Sequence, residues 1–333
     1  MMKRIKSICL FGLGFAGVGL VFELLLRFGG IMTPLLTIDP QRGERYLANQ
    51  MCCSLFNYEG FGLAATNSQG WFGPEFHDSG DQEISLAVLG NSFIAARQVF
   101  YRHNFMSLSE EALKETHPDL HIFNFGKETM PLRESLYLKE ELDSMYHPDY
   151  FVVFINIRSL GNEGRYIPYY ELQNGQLSLN TDFRNKAFVK QYHNFAPLAQ
   201  SSLVFLAYRA KNHLPEYKQI LFDKFYTPDT TDMVVDTIRP IDEVDEAVIR
   251  EFSKDPRVIF LLDIHPITKE KILNMVGNSP VIDVKPGLEQ LRKQGIDPYY
   301  WKISKETGHW NHKAHQVIAR TFTEEIKRIV DKE

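Results

Sequence analysis

Cysteine is scarce in this chain, three among 333 residues, which excludes a disulfide framework as the source of its stability. Cys9 lies in an apolar run, and Cys52 and Cys53 are neighbours, poorly placed to pair with each other. Positive charge is also short: 37 Lys and Arg face 42 Asp and Glu, a formal net charge of −5, with no basic block beyond the extreme N-terminus. Nucleic acid as a partner therefore has no electrostatic support. There are no internal repeats and no low-complexity tract. What remains is ordinary globular composition, 44% apolar and 24% charged, in a chain ample for one large α/β domain plus an appendage.

The one long hydrophobic run lies at the N-terminus. Met1-Met-Lys3-Arg4-Ile-Lys6 precedes Ser7 to Leu26, a stretch with a single charge, Glu23. Twenty residues at about 1.5 Å each reach roughly 30 Å, the thickness of a bilayer's hydrocarbon core. Lys3, Arg4 and Lys6 place the N-terminus in the cytoplasm and the rest of the chain outside, in the periplasm or extracellular space. No small-residue cleavage site follows, so an uncleaved, single-pass anchor is expected. The same segment holds a competing pattern. Gly12-Leu-Gly14-Phe-Ala-Gly17 matches G-x-G-x-x-G after a strand-like Ile8–Phe11, with Asp39 downstream, the form of a dinucleotide-binding turn. Glycine-rich transmembrane helices give the same letters.

From Gly29 to Gly80 the chain is rich in Gly, Asn and aromatics without sustained periodicity, and reads as a lead-in packing on the domain. Beyond it, apolar runs at Ile84–Leu89, Leu120–Phe125, Tyr150–Ile157, Val258–Ile264 and Val281–Val284 alternate with helical patterns. Examples of these helical patterns are Leu108–Thr116, Leu132–Met145, Glu243–Phe252 and Thr268–Val276, and the final helix runs through roughly Lys313–Val330. Buried strands alternating with helices indicate an α/β fold, a doubly wound, mostly parallel sheet covered on both faces. The rhythm breaks between about 158 and 240, where Asn174-Gly175 between alternating apolar residues suggests a hairpin in an insertion. The expected division is an anchor (1–28), a lead-in (29–80) and a domain (81–333).

Two short segments carry the chemistry. Ile84–Leu89 runs into Gly90-Asn91-Ser92-Phe93, and Glu306-Thr-Gly-His309-Trp310-Asn-His312-Lys-Ala-His315 opens the last helix. A serine hydroxyl is a poor nucleophile until a base accepts its proton, and a histidine with an acid nearby is such a base. Sites in doubly wound sheets form at the carboxyl ends of strands, an edge both segments can reach. Glu306, His309, His312 and His315 are also spaced by three, as metal ligands on one helix could be, but no metal or other cofactor is expected. Asp263 and His265 are read as local polar contacts.

The two segments resemble the nucleophile and histidine blocks of the SGNH/GDSL hydrolases. The wider context is similar to a membrane-anchored bacterial branch: the apolar N-terminus, Asn67-Ser-Gln-Gly70, Ala96-Arg97-Gln98-Val99 and Pro168-Tyr-Tyr-Glu-Leu-Gln-Asn-Gly175. The resemblance covers roughly residues 60 to 330. It implies a flavodoxin-like three-layer fold and an ester hydrolase or acyltransferase in which Ser92 is the nucleophile, His309 the base and Glu306 the acid. The oxyanion hole would come from Ser92, from the Asn124-Phe-Gly126-Lys-Glu-Thr129 block through Gly126 or Thr129, and from Asn156, Ser159 or Asn162. Asn91 and Trp310 are assigned to substrate binding, and the substrate to an acylated small molecule or envelope polysaccharide. Thr129 stands where the family has glycine, Asn91 where it has Asp. Two other classes stay open: an inactive SGNH-like carbohydrate-binding or scaffold protein, and a dinucleotide-binding protein using Gly12 to Gly17.

Overall fold

Five apolar runs supply the central sheet: β5 (Ile84–Gly90), β6 (Leu120–Gly126), β7 (Tyr150–Asn156) and β10 (Val258–Asp263), buried on both sides, and the half-buried edge strand β11 (Val281–Asp283). The computed structural model describes residues 2–28, 35–56, 59–76, 83–161, 166–208, 210–211, 238, 240–302 and 304–332. All pairings in the sheet are parallel, and the strand order is β11-β10-β7-β5-β6. In chain order this is the flavodoxin-like 2-1-3-4-5 arrangement, whose winding reverses between β5 and β7. The alternation of side chains splits the core in two. Val152, Phe154, Ile259 and Leu261 pack with α3 (Phe105–Leu113) and α10 (His312–Val330). Val153, Ile155, Phe260 and Leu262 pack with α4 (Leu132–Tyr146), α7 (Glu243–Phe252) and α8 (Pro266–Val276). The result is the expected doubly wound three-layer α/β fold. Side chains fix the helix starts: Asn104 caps α3, Asp242 caps α7 and Asn311 caps α10, each accepting from backbone N–H groups of the first turn. A further helix, α9 (Lys285–Lys293), follows β11.

The N-terminus forms one helix, α1 (Met2–Phe28), of which Ile5–Phe28 is long and apolar enough to cross a membrane. Gly12, Gly14 and Gly17 lie inside this unbroken helix with open space around each. The dinucleotide reading needs a strand, a tight turn and then a helix, so α1 overturns it. The lone charge in the run also has a reason. After α5 (Ala187–Ala199), a helical segment over 202–208 (α6) starts against α1. Glu23 accepts hydrogen bonds there from Ser202 N and Leu203 N, both at 2.9 Å, and from Ser201 Oγ. Arg27 closes the junction by pairing with Glu23 at 2.7 Å and donating to the Gln200 carbonyl.

Between α1 and the sheet, the lead-in forms two antiparallel hairpins, β1 (Leu36–Asp39) with β2 (Gly43–Tyr46) and β3 (Met51–Phe56) with β4 (Gly60–Ala65). The second lies directly on the backbone of residues 97–99. A Cβ on Gly62 would stand 2.0 Å from the Arg97 carbonyl oxygen, so only glycine permits this approach. The expected Asn-Gly hairpin is present as β8 (Tyr169–Gln173) and β9 (Gln176–Asn180), with Asn174 and Gly175 at φ of 53° and 79°. Positive φ at both turn residues matches the right-handed twist of the strands.

Candidate active site

Strand β5 delivers the serine. Its last residue, Gly90, leads to Asn91, which caps a single helical turn, α2 (Ser92–Ala95), by accepting from Phe93 N at 3.1 Å. The other end of the Asn91 amide donates to Asn156 Oδ1 at 2.9 Å and to Ser159 Oγ at 3.2 Å. These bonds tie the end of β5 to the end of β7 where the winding reverses. Within α2, Phe93, Ile94 and Ala95 are buried and Ser92 is half-buried, so the serine is the accessible member of the turn.

His309 enters from the loop before α10. Its Nε2 lies 2.7 Å from Ser92 Oγ, and its Nδ1 lies 2.6 Å from Glu59 Oε2. The same carboxylate oxygen accepts the His309 backbone N–H at 2.9 Å. A carboxylate on Nδ1 holds the proton there and leaves the Nε2 lone pair facing the serine hydroxyl. The imidazole is also fixed by Phe93, whose ring centroid is 4.6 Å away, and by Trp301 Nε1, which donates to the His309 carbonyl at 3.1 Å. The side chains of His309 and Glu59 are 3% and 2% exposed, so the pair works in a desolvated setting.

Glu59, and not the expected Glu306, occupies the place beside His309 Nδ1. Glu306 lies half-buried on β13 (Glu306–Thr307), opposite Trp301 of β12 (Tyr300–Trp301), and its side chain makes no hydrogen bond or ion pair among the described residues. The volume beside Nδ1 is already filled. The Glu59 carboxylate lies so close to Gly308 that a Cβ there would be 2.0 Å from Oε1. Glu59 comes from the turn joining β3 and β4, placed by the contact of that hairpin with residues 97–99.

Two substrate-binding assignments are also corrected. Trp310 is fully buried among Phe93, Phe105 and Phe154, and donates its Nε1 to Asp263 at 2.9 Å. Asn91 is 2% exposed and its amide is consumed by the bonds above. Burial raises the Asp263 carboxyl, which also accepts the Tyr299 hydroxyl at 2.8 Å. His265 accepts from Ile267 N at the start of α8. The four residues spaced by three do not converge: His315 accepts Phe105 N–H at 3.2 Å behind the site, and His312 lies against Trp301 and His103.

The loops around the serine sort the oxyanion candidates. Gly126 N–H donates to Asn124 Oδ1 at 2.8 Å and is unavailable. Ser159 is buried with its hydroxyl donating to Asn156 Oδ1 at 3.1 Å, so it too is occupied inside the turn. Asn156 has its Oδ1 filled by Asn91, Arg158 and Ser159, which leaves only its Nδ2 hydrogens to offer. Thr129 is exposed at φ 59°, keeping the left-handed backbone that glycine takes more cheaply. The N–H groups of Ser92 and Thr129 make no hydrogen bond among the described residues. Asn162 lies outside the described residues. The Thr129 loop is braced by Glu128, which pairs with Arg97 and accepts the Tyr46 hydroxyl. Burial pulls the Glu128 carboxyl up, but the Arg97 charge and the Tyr46 bond outweigh it and leave the group below the usual range.

No known family profile and no curated protein matches the chain. Among solved structures it is similar to a G-D-S-L lipolytic family member from Veillonella parvula, at 11% identity and a TM-score of 0.40, covering 74% of this chain and 99% of that one. It is also similar to a lipase/acylhydrolase from Enterococcus faecalis, at 14% identity and a TM-score of 0.38, over 74% and 96% of the two chains. A third is an acetylxylan esterase from Geobacillus stearothermophilus, at 13% identity and a TM-score of 0.37, over 73% and 94%.

Proposed function

We propose that this chain is a serine ester hydrolase or acyltransferase of the SGNH type with a Ser92–His309–Glu59 site. One observation carries the proposal: the unbroken chain of hydrogen bonds from Ser92 Oγ through the imidazole to the Glu59 carboxylate, 2.7 and 2.6 Å long. His309 Nε2 takes the hydroxyl proton as Oγ attacks the ester carbonyl carbon. The oxyanion so formed is assigned to the N–H groups of Ser92 and Thr129 and the Asn156 amide, none of which has another acceptor among the described residues. Glu59 stabilises the imidazolium, which then protonates the departing alcohol and leaves an acyl group on Ser92. Water, or a sugar hydroxyl in a transferase, is deprotonated by the same imidazole and releases the acyl group.

In this reading α1 is a membrane anchor, with its basic residues in the cytoplasm and the catalytic domain outside. An outer location makes acylated envelope polysaccharide the natural substrate class, and whether water or a sugar accepts the acyl group depends on the acceptor at hand. The test is turnover of 4-nitrophenyl acetate by the full chain in detergent. Ser92→Ala and His309→Ala should each lower kcat/KM by at least about 10³ while the fold survives. Turnover unaffected by both changes would contradict the mechanism.

A further inference from the structure

Helix α6 is apolar on every side, yet much of it stands outside the core. Leu203-Val-Phe-Leu-Ala-Tyr208 contains no charged side chain and no polar group other than the Tyr208 hydroxyl. Val204 and Tyr208 are 43% and 62% exposed, Ala207 is exposed, and Leu198 just before the helix is 64% exposed. A helix apolar all round belongs in a protein core or in lipid. The place of α6 is fixed by the N-terminal helix. Glu23 of α1 accepts the Ser202 and Leu203 N–H groups that open α6, and Arg27 donates to the Gln200 carbonyl. The Gln200 amide in turn donates to Thr37 Oγ1 of β1 at 3.5 Å, and Val189 and Tyr192 of α5 are buried. The junction is therefore a joint between α1 and the lead-in, not a loose tether.

The joint also has a depth. Ile5 and Glu23 are roughly 27 Å apart along the helix axis at about 1.5 Å per residue, close to the thickness of a hydrocarbon core. With Ile5 at the inner boundary, Glu23 and the start of α6 stand at the outer one, where a carboxylate paired with Arg27 is tolerated. Val204 and Tyr208 then lie at the level of the lipid headgroups and first acyl carbons, the layer that suits a tyrosine. Phe22, Leu25 and Phe28, on the same stretch of α1, are exposed as well, so lipid that covers α1 reaches α6 without a break. Resting on the reading of α1 as a membrane anchor, we propose that α6 is a second membrane contact, lying in the interface of the outer leaflet and holding the domain against the bilayer.

The test is tryptophan quenching in the full chain, reconstituted into phosphatidylcholine vesicles with and without bromine on the acyl chains. Trp71, Trp301 and Trp310 are buried in the domain and give the background. Single tryptophans are added as Leu13→Trp inside α1, as Val204→Trp or Tyr208→Trp on α6, and as Glu324→Trp on the exposed face of α10. That last position lies across the sheet from α4, the helix that holds the lead-in through Arg45 and Glu141. In brominated vesicles the added fluorescence should fall at 13 and at 204 or 208, and stay unchanged at 324. Tyr208→Trp keeps an aromatic ring in place, so it reports even where Val204→Trp does not fold. Position 13 quenched, with neither 204 nor 208 quenched beyond 324, overturns the proposal alone and gives α6 to a protein partner. If position 13 is not quenched, the anchor reading falls and this inference with it.

Discussion

Glu59 offers the sharpest test of the site because sequence spacing favours a different acid. Glu59→Gln preserves the volume against Gly308, and its amide oxygen can still accept both His309 N–H groups. What it loses is the negative charge facing the imidazolium in the transition state. At about 4 Å and an effective dielectric near 20, that attraction is about 4 kcal/mol, or roughly 10³ in rate. Glu59→Ala also strips both N–H groups of their acceptor and frees the ring to rotate, for a loss nearer 10⁴. The assay is kcat/KM on 4-nitrophenyl acetate, with circular dichroism and urea unfolding to confirm that each variant is folded. Glu306→Gln is the internal control and should stay within about threefold of wild type, since Glu306 touches neither His309 nor Ser92. A folded Glu59→Gln with wild-type turnover, or a Glu306→Gln as impaired as Glu59→Gln, would refute the reasoning.

Gly62→Ala would drive a Cβ against the Arg97 carbonyl and lift the β3–β4 hairpin, carrying Glu59 away from His309. About 1–3 kcal/mol of stability by urea unfolding should go with it, and turnover by tenfold or more. The His315 imidazole is pushed down to about 3, by burial first and then by His312 and His309. An unfolded chain protonates this ring below about 6.5, so between those values the unfolded state binds the extra proton and stability falls as pH drops. Between pH 7 and pH 5 wild type should lose about 2 kcal/mol more than His315→Phe, measured by urea midpoints, and equal losses would contradict the assignment. The full chain should remain in the membrane pellet after carbonate extraction; recovery in the supernatant would remove α1 as an anchor.

The sheet was legible because β5, β7 and β10 are buried on both faces, so each reads as an unbroken apolar run with few competing interpretations. Helix α7 was equally plain, with its cap at Asp242 and an inward face of Val248, Ile249 and Phe252. Helix α9 is less legible because only Leu288 and Leu291 of its apolar side chains are buried, amid lysine, glutamate, glutamine and arginine. Ser92 and His309 stood out because each sits beside a recognisable turn or cap. Glu59 carried no such signal: its approach to His309 is set by packing between segments 250 positions apart. The only trace was glycine at 60, 62 and 308, where the backbones meet. Glu306 looked right by spacing, which says nothing about what already fills the space beside Nδ1. Trp310 illustrates the same limit, since no local pattern distinguishes a core indole bonded to Asp263 from one facing a ligand.

The most direct test of the central claim is to react the detergent-solubilised full chain with a fluorophosphonate and locate the adduct by peptide mass spectrometry. The Ser92–His309–Glu59 relay predicts one stoichiometric adduct on Ser92, lost in Ser92→Ala and at least about a hundredfold slower to form in His309→Ala and Glu59→Ala. A folded wild type that forms no adduct, or forms it on another residue, would contradict the account.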